Sequence, residues 1–400
     1  MSGGSTRIGA ALVVVQFLVV AVLWLSKSDQ FTTASSDYFD VAHYHSISTI
    51  GYADFQLAFF PGFPGFWKLS GLGILGIALV NMFVYFGSLW YLSKTFQWST
   101  KGLLLAALGP SLVFYCIPYT EAFFFAAAVW ILVGIHKGKL LWTAIGLFVC
   151  ALIRPTVSVL IIGLLLLEIL RSETFKDWLK RSSLWMVSGV GGVLCAFLIQ
   201  FLMTGKWFEF FEAQRLWGNE LQWPQFPLSS WAGPKIVLLD AAALAVGMLS
   251  IIMVLRWVFL RLNRGRLALQ PTLVLSALYL AGVTGIVLLF RGGELFSLNR
   301  FVFASPFFLV VLVWVAGLEW KKVHLWVIGG LFLFFTAFGS FGHIQTTLSF
   351  LALTFGLSLP MFFNHPQKVV RYSSLSIFTV GLLIVQIALI LRFLNGEWIG

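Results

Sequence analysis

Long apolar runs follow one another from end to end of this chain, and they leave it little choice of fold. In a run such as "IGAALVVVQFLVVAVLWL", which follows Arg7, the backbone has no water to bond with once in lipid. It must satisfy its own amides inside a helix. A crossing helix takes about 17–25 residues. Runs that qualify lie at 8–26, 69–92, 102–117, 121–135, 140–153, 156–170, 184–203, 236–258, 272–290, 301–318, 323–340, 346–363 and 373–393. Those at 102–117, 121–135 and 140–153 are short enough to be partial or steeply packed helices. The expected fold is an all-α polytopic membrane protein with about 11–13 transmembrane helices.

Composition agrees. Of the 400 residues 60% are hydrophobic and only 10% charged, against about 25% charged in soluble globules; the mean hydropathy is +0.94. No polar stretch is long enough for a soluble domain, so residues 1–400 are expected to form one integral-membrane domain. No small-residue cleavage site follows the first run, which reads as a retained helix rather than a signal peptide.

The net charge of +11 would suggest nucleic acid in a soluble protein. Here the basic residues sit in short loops between spans, and the excess of Lys and Arg on cytoplasmic loops explains them better. With the N-terminus inside, most of the 26 Lys and Arg fall on the inner side and most of the 15 Asp and Glu outside. Both long polar loops, 27–68 and 204–235, then lie outside. Chemistry, if any, is expected on the non-cytoplasmic face, with no nucleic-acid partner. Cys116, Cys150 and Cys195 are too scattered for a zinc site or a disulfide framework.

The first outer loop contains "SSDYFDVAHYHSISTIGYADFQLAFFPGFPGF". Val41, Tyr44, Ile47 and Ile50 recur every third residue, which predicts a short amphipathic helix on the outer face, stopped by Gly51. Asp40 at its start can cap free N–H groups. His43 and His45 are two apart and diverge on a helix, so they cannot bind metal together; His43, three residues after Asp40, can support that acid or a ligand. Thr120 and Glu121 read as a capped helix start. Arg154 and Arg300 flank apolar spans, where an ionisable group is a functional candidate by default and snorkelling to headgroups is the rival account. In the second loop, most indoles are interface anchors. Gln214 and Trp217 also offer an amide and an aromatic floor on which a sugar can rest.

The segment "FDVAHYHSISTIGYADFQLAFFPGFP" (39–64) resembles the signature of the PIG-V-like mannosyltransferases. That signature runs Trp-Asp, then Gly-Tyr, then an aromatic-Pro-x-x-Pro segment; Phe39 stands where the family has Trp. "YCIPYTEAFFF" (115–125), "RPTV" (154–157), "FFEAQRLWGNELQWP" (210–224) and "NRFVFASPFF" (299–308) are similar to further family segments, in the same order. The resemblance implies a GT-C glycosyltransferase that takes a sugar, usually mannose, from a polyprenyl-phosphate carrier and inverts the anomeric centre. Its acceptor is a glycolipid or glycan. Asp40 would be the general base, with Asp37 its nearest competitor; Arg154 and Arg300 would hold the carrier phosphate. Glu121, His43, Gln214 and Trp217 would shape the sugar and acceptor site.

An inverting transfer does need a carboxylate within reach of the attacking hydroxyl. A lipid carrier supplies its own anchor, so no nucleotide-binding unit is required, and neither GxGxxG after a strand nor GxxxxGK[ST] is present. Metal is optional and no cofactor is expected beyond the donor itself. The short basic inner loops suit a bacterial plasma membrane, with the site facing the periplasm or exterior; an endoplasmic reticulum enzyme would look similar. A secondary transporter or a non-catalytic lipid-binding or assembly subunit are the competing classes.

Overall fold

A computed structural model of the chain describes residues 3–37, 39–172, 174–226, 228–230, 234–264, 269–321, 323–335 and 344–400. Its elements are α1 (Gly3–Ser26), α2 (Ser28–Asp37), α3 (Phe39–Thr49), a 3₁₀ turn (Asp54–Ala58), α4 (Gly62–Ser70), α5 (Ile74–Thr95), α6 (Thr100–Ala107), α7 (Leu112–Cys116), α8 (Glu121–Lys137), α9 (Leu140–Ile153) and α10 (Val157–Arg171). They continue through α11 (Phe175–Thr204), α12 (Glu209–Leu216), α13 (Pro234–Arg264), α14 (Pro271–Phe290), α15 (Leu298–Phe303), α16 (Pro306–Gly317), α17 (Val323–Phe335), α18 (Ile344–Ser358) and α19 (Lys368–Leu394). Among the described residues there is no strand, only one isolated bridge between Ser229 and Glu294.

Among the described residues, five helices are long and apolar enough to cross a membrane: α5, α11, α13, α14 and α19. A sixth candidate is the pair α1 and α2, bent by 86°. The chain is thus an all-helical protein of polytopic membrane type. The other expected spans fall on shorter helices, and the end of the 323–340 run lies outside the described residues. The 102–117 run is split, with α6 ending before Gly109–Pro110 and α7 starting after it, because proline cannot continue the helical bonding. From Leu105 to Ala122 every described side chain is buried. Backbone enclosed by protein need not match the thickness of lipid.

The layers follow from which faces are apolar. α8 is the central post, packed by α5, α9, α14 and α16; Phe124, Phe125, Ala128, Val129, Ile131 and Leu132 are sealed from solvent on it. α19 and α11 lie outermost, only 22% and 28% buried over their most apolar windows. α1 exposes Val15, Leu18, Val22 and Leu25 along one side, a stripe that lipid covers at no cost and water would not. The chain segments 39–70 and 204–226 cap one end of this bundle and close the cavity described next.

Candidate functional site

The first outer loop folds as helix, with one difference from the expected pattern. Val41, Tyr44 and Ile47 are buried at the expected spacing, but Ile50 is 87% exposed. Ile50 lies past the end of α3, where the amides of Ile50 and Gly51 both bond the carbonyl of Ser46 and turn the chain. Asp40 is in the first turn of α3. Its carboxylate receives a hydrogen bond from an Nη of Arg300 at 2.5 Å, on a residue 260 positions away. Phe39 is left-handed (φ 62°), and its ring packs edge-on against Trp398 at 4.9 Å.

Arg300 is one member of a buried quartet. Its Nε donates to Glu121 Oε1, and Arg154 Nη reaches the same oxygen at 3.0 Å. Glu121 is wholly buried, while Arg154 and Arg300 are 7% and 4% exposed. Neither arginine snorkels to a headgroup. Two guanidiniums and two carboxylates cancel, which is the condition under which such groups tolerate removal from water. Aromatic faces complete the solvation. Arg300 lies 4.2 Å from the centre of the Tyr119 ring, and Arg154 lies 5.2 Å from Phe301 and 5.6 Å from Phe124. The expected cap at Thr120 is not made; its hydroxyl instead stands 3.5 Å from both Glu121 Oε2 and the Tyr44 hydroxyl.

The scaffold behind the quartet also runs on polar groups placed in apolar helices. Asn81 of α5 donates to the carbonyls of Ile117 and Tyr119, at 2.6 and 2.8 Å, fixing the ring beneath Arg300. Asp240 of α13, fully buried, accepts from the amide and side chain of Asn299 at 2.9 and 2.8 Å and from Ser230 at 2.8 Å. That carboxylate holds the first turn of α15, and therefore the position of Arg300.

In front of the quartet is a cavity of about 1390 Å³. Its polar wall carries Asp40, His43, Arg154, Gln214, Arg215, Trp217, Glu220, Arg291, Glu294 and Arg300. Its other wall is apolar, made by Val159 and Ile161 of α10, Val193 and Phe197 of α11, and Val283, Ile286, Val287 and Phe290 of α14. Glu121 lies one layer behind. The side chain of Asp37 lies outside the described residues.

His43 makes no hydrogen bond with Asp40; its ring packs against Phe59 at 5.2 Å and edge-on to Trp217 at 5.5 Å, with Gln56 at 3.5 Å from Nδ1. Burial pushes its pKa down from 6.5, opposed by Asp40. Trp217 donates to the carbonyl of Phe55 at 2.8 Å, which pins the second loop to the first, and within the second loop Gln214 accepts from Asn219 at 2.7 Å.

Gln222, Gln225 and Ser229 also pair with the backbone of 289–295. The amides of Gln222 and Gln225 bond the carbonyls of Leu289 and Gly292 at 2.6 and 2.9 Å, and Leu295 bonds back to Ser229 at 2.8 Å. Gly292 and Gly293 have φ of 56° and 96°, and a Cβ on Gly293 would stand 2.8 Å from the carbonyl oxygen of Gln225. Only glycine fits so close to another backbone there.

Six expected residues from distant stretches of sequence thus line one cavity, with Glu121 behind them. Asp240, Arg291, Tyr119 and Trp398 belong to the same assembly, and their sequence signals are weak. Asp240 is an acid inside an apolar run, and Arg291 precedes a Gly-Gly turn. Among the described residues no group of three His, Cys, Asp or Glu gathers as a metal site would require. The chain matches no known protein-family model and no curated protein sequence.

Proposed function

We propose that this chain is a membrane-embedded, inverting glycosyltransferase of GT-C architecture. It moves a sugar, mannose in the simplest version, from a polyprenyl-phosphate donor to a glycolipid or glycan acceptor. What supports the reading is one observation: a single cavity joins a charged wall to an apolar wall built from three long helix faces. A lipid-linked sugar has that same division. In this reading the shorter apolar helices complete a bundle of about 11–13 crossings. The loop-capped end faces the periplasm or exterior of a bacterial plasma membrane, or the lumen in a eukaryote.

Asp40 is the acid placed to act. Its side chain is 17% exposed, whereas Glu121 is sealed behind it. Arg300 binds one carboxylate oxygen of Asp40, which lines the cavity. The acceptor hydroxyl gives its proton to Asp40 as its oxygen attacks the anomeric carbon. The bond from that carbon to the phosphate oxygen breaks, and the phosphate departs with the electron pair. Trp217 and Gln214 supply an aromatic face and an amide at the polar end, suited to a sugar ring. The test is transfer by the purified protein from polyprenyl-phosphate sugars to candidate glycolipids, varying the sugar. Product formation supports the reading. Uptake of substrate into vesicles without transfer would favour a transporter instead.

A further inference from the structure

We propose that Arg291, rather than Arg154 or Arg300, is the anion-binding group of the cavity and holds the phosphate of a lipid-linked ligand. The identity of the ligand rests on the glycosyltransferase reading; the anion site itself rests on charge. Arg154 and Arg300 are committed to Glu121 and Asp40 in a neutral quartet. A phosphate placed against them would meet two carboxylates at close range, a repulsive arrangement in a site with little water.

Arg291 lines the same cavity, and its partners are uncharged dipoles. Its Nε donates to Asn219 Oδ1 at 2.9 Å, an Nη donates to the carbonyl of Phe296, and the Phe296 ring lies 5.1 Å away. It forms no ion pair among the described residues. Burial lowers its pKa to about 10, with Asp240, Asp40 and Glu294 pulling the other way, so the group stays charged at neutral pH although no described carboxylate pairs with it. The remaining N–H donors of its planar fork match a phosphate.

Position points the same way. Arg291 directly follows the last residue of α14, whose side chains Val283, Ile286, Val287 and Phe290 form part of the apolar wall. It sits at the seam between the apolar and polar walls, where the head of a phosphorylated lipid must lie if its tail follows α14. The Gly292–Gly293 turn, clasped by residues 222–225, holds it there.

The experiment measures binding to the purified protein in detergent, using sugar-free polyprenyl phosphate, the matching polyprenol and inorganic phosphate as probes. The wild type is expected to prefer polyprenyl phosphate over polyprenol. Arg291→Gln is expected to lose about 10- to 100-fold in affinity for the phosphate lipid, the scale of one charge-assisted contact, and none for polyprenol. Asn219→Asp keeps the arginine in place and gives it a counter-charge, so it is expected to weaken phosphate-lipid binding with the fold intact. Arg291→Lys keeps the charge but loses the fork, so its affinity should fall between those of the wild type and Arg291→Gln. Wild-type affinity for polyprenyl phosphate in both Arg291→Gln and Asn219→Asp would overturn the proposal, as would equal losses for polyprenol. Inorganic phosphate binding as tightly as the lipid would overturn the lipid assignment. If Arg291 governs phosphate-lipid binding in a protein that transfers no sugar, this inference stands and the proposed function falls.

Discussion

Two buried acid–arginine clusters sit at opposite ends of α10, and they are built differently. At the end away from the cavity, Glu168 is sealed from solvent and receives Arg171 Nε at 2.8 Å, Arg181 at 3.7 Å and the Trp185 indole at 3.1 Å. At the cavity end, Glu121 receives Arg154 and Arg300. Roughly 20 Å of helix lies between the two ends, at ~1.5 Å per residue. The Glu168 cluster is local: its partners lie within 17 residues, and the arginine side chains are 22% and 41% exposed. The Glu121 cluster is assembled from distant stretches, its arginine side chains are 8% and 5% exposed, and it abuts a cavity. A buried ion pair alone therefore does not mark a site. The distinction lies in an adjoining cavity, a partly open acid at its edge, and a neighbouring cation that forms no ion pair among the described residues.

Removing each acid is the strongest way to break this comparison. Glu121→Ala leaves two buried guanidiniums with one carboxylate between them, and is expected to cost about 3–5 kcal/mol and abolish function. Glu168→Ala leaves arginines that can reach water, so the expected loss is about 1–2 kcal/mol, chiefly from the orphaned indole, with function retained. Thermal unfolding in detergent beside an activity assay separates the two; equal losses would erase the distinction.

A smaller effect is expected at the clasp. Gly293→Ala forces a side chain into a left-handed backbone and against the carbonyl of Gln225, at a cost of about 1–3 kcal/mol. Because the clasp carries Arg291, binding of polyprenyl phosphate should weaken with it, and unchanged binding would show that the clasp does not set Arg291.

The smallest effect is in pH. Burial lowers the pKa of His43, so the unfolded chain takes up this proton at a higher pH than the folded one. The contribution of the neutral ring is intact above its ordinary value of 6.5. It declines as pH falls below that value, until the folded ring itself titrates. His43→Asn should shrink the drop in Tm between about pH 7 and about pH 5. An unchanged drop would show that His43 is not the group responsible.

The helices were legible where apolar periodicity is long and uninterrupted, as in α5, α14 and α19. They were less so where local chemistry intervened: Gly109–Pro110 split one run into α6 and α7, and α11 begins nine residues before its apolar run, on the mixed, charge-rich stretch Phe175 to Ser183. Asp40, Glu121, Arg154 and Arg300 stood out because charge beside a span is costly and needs a reason. Which of them pair could not be read, since Arg300 and Asp40 are 260 residues apart and pairing is a property of the packed bundle. For the same reason Arg154 and Arg300 looked like available cations, whereas their charges are already balanced. Asp240 is less legible because its partners, Asn299 and Ser230, lie on other segments.

The central claim is that Asp40, held by Arg300 at the edge of the cavity, accepts the proton of the attacking hydroxyl. Asp40→Asn keeps the shape of the side chain and removes the charge, so the direct measurement is sugar transfer by this variant, purified and folded, from a polyprenyl-phosphate donor. A loss of about 10²–10⁴-fold in kcat, with polyprenyl phosphate still bound, is the predicted result. Transfer at the wild-type rate would contradict it.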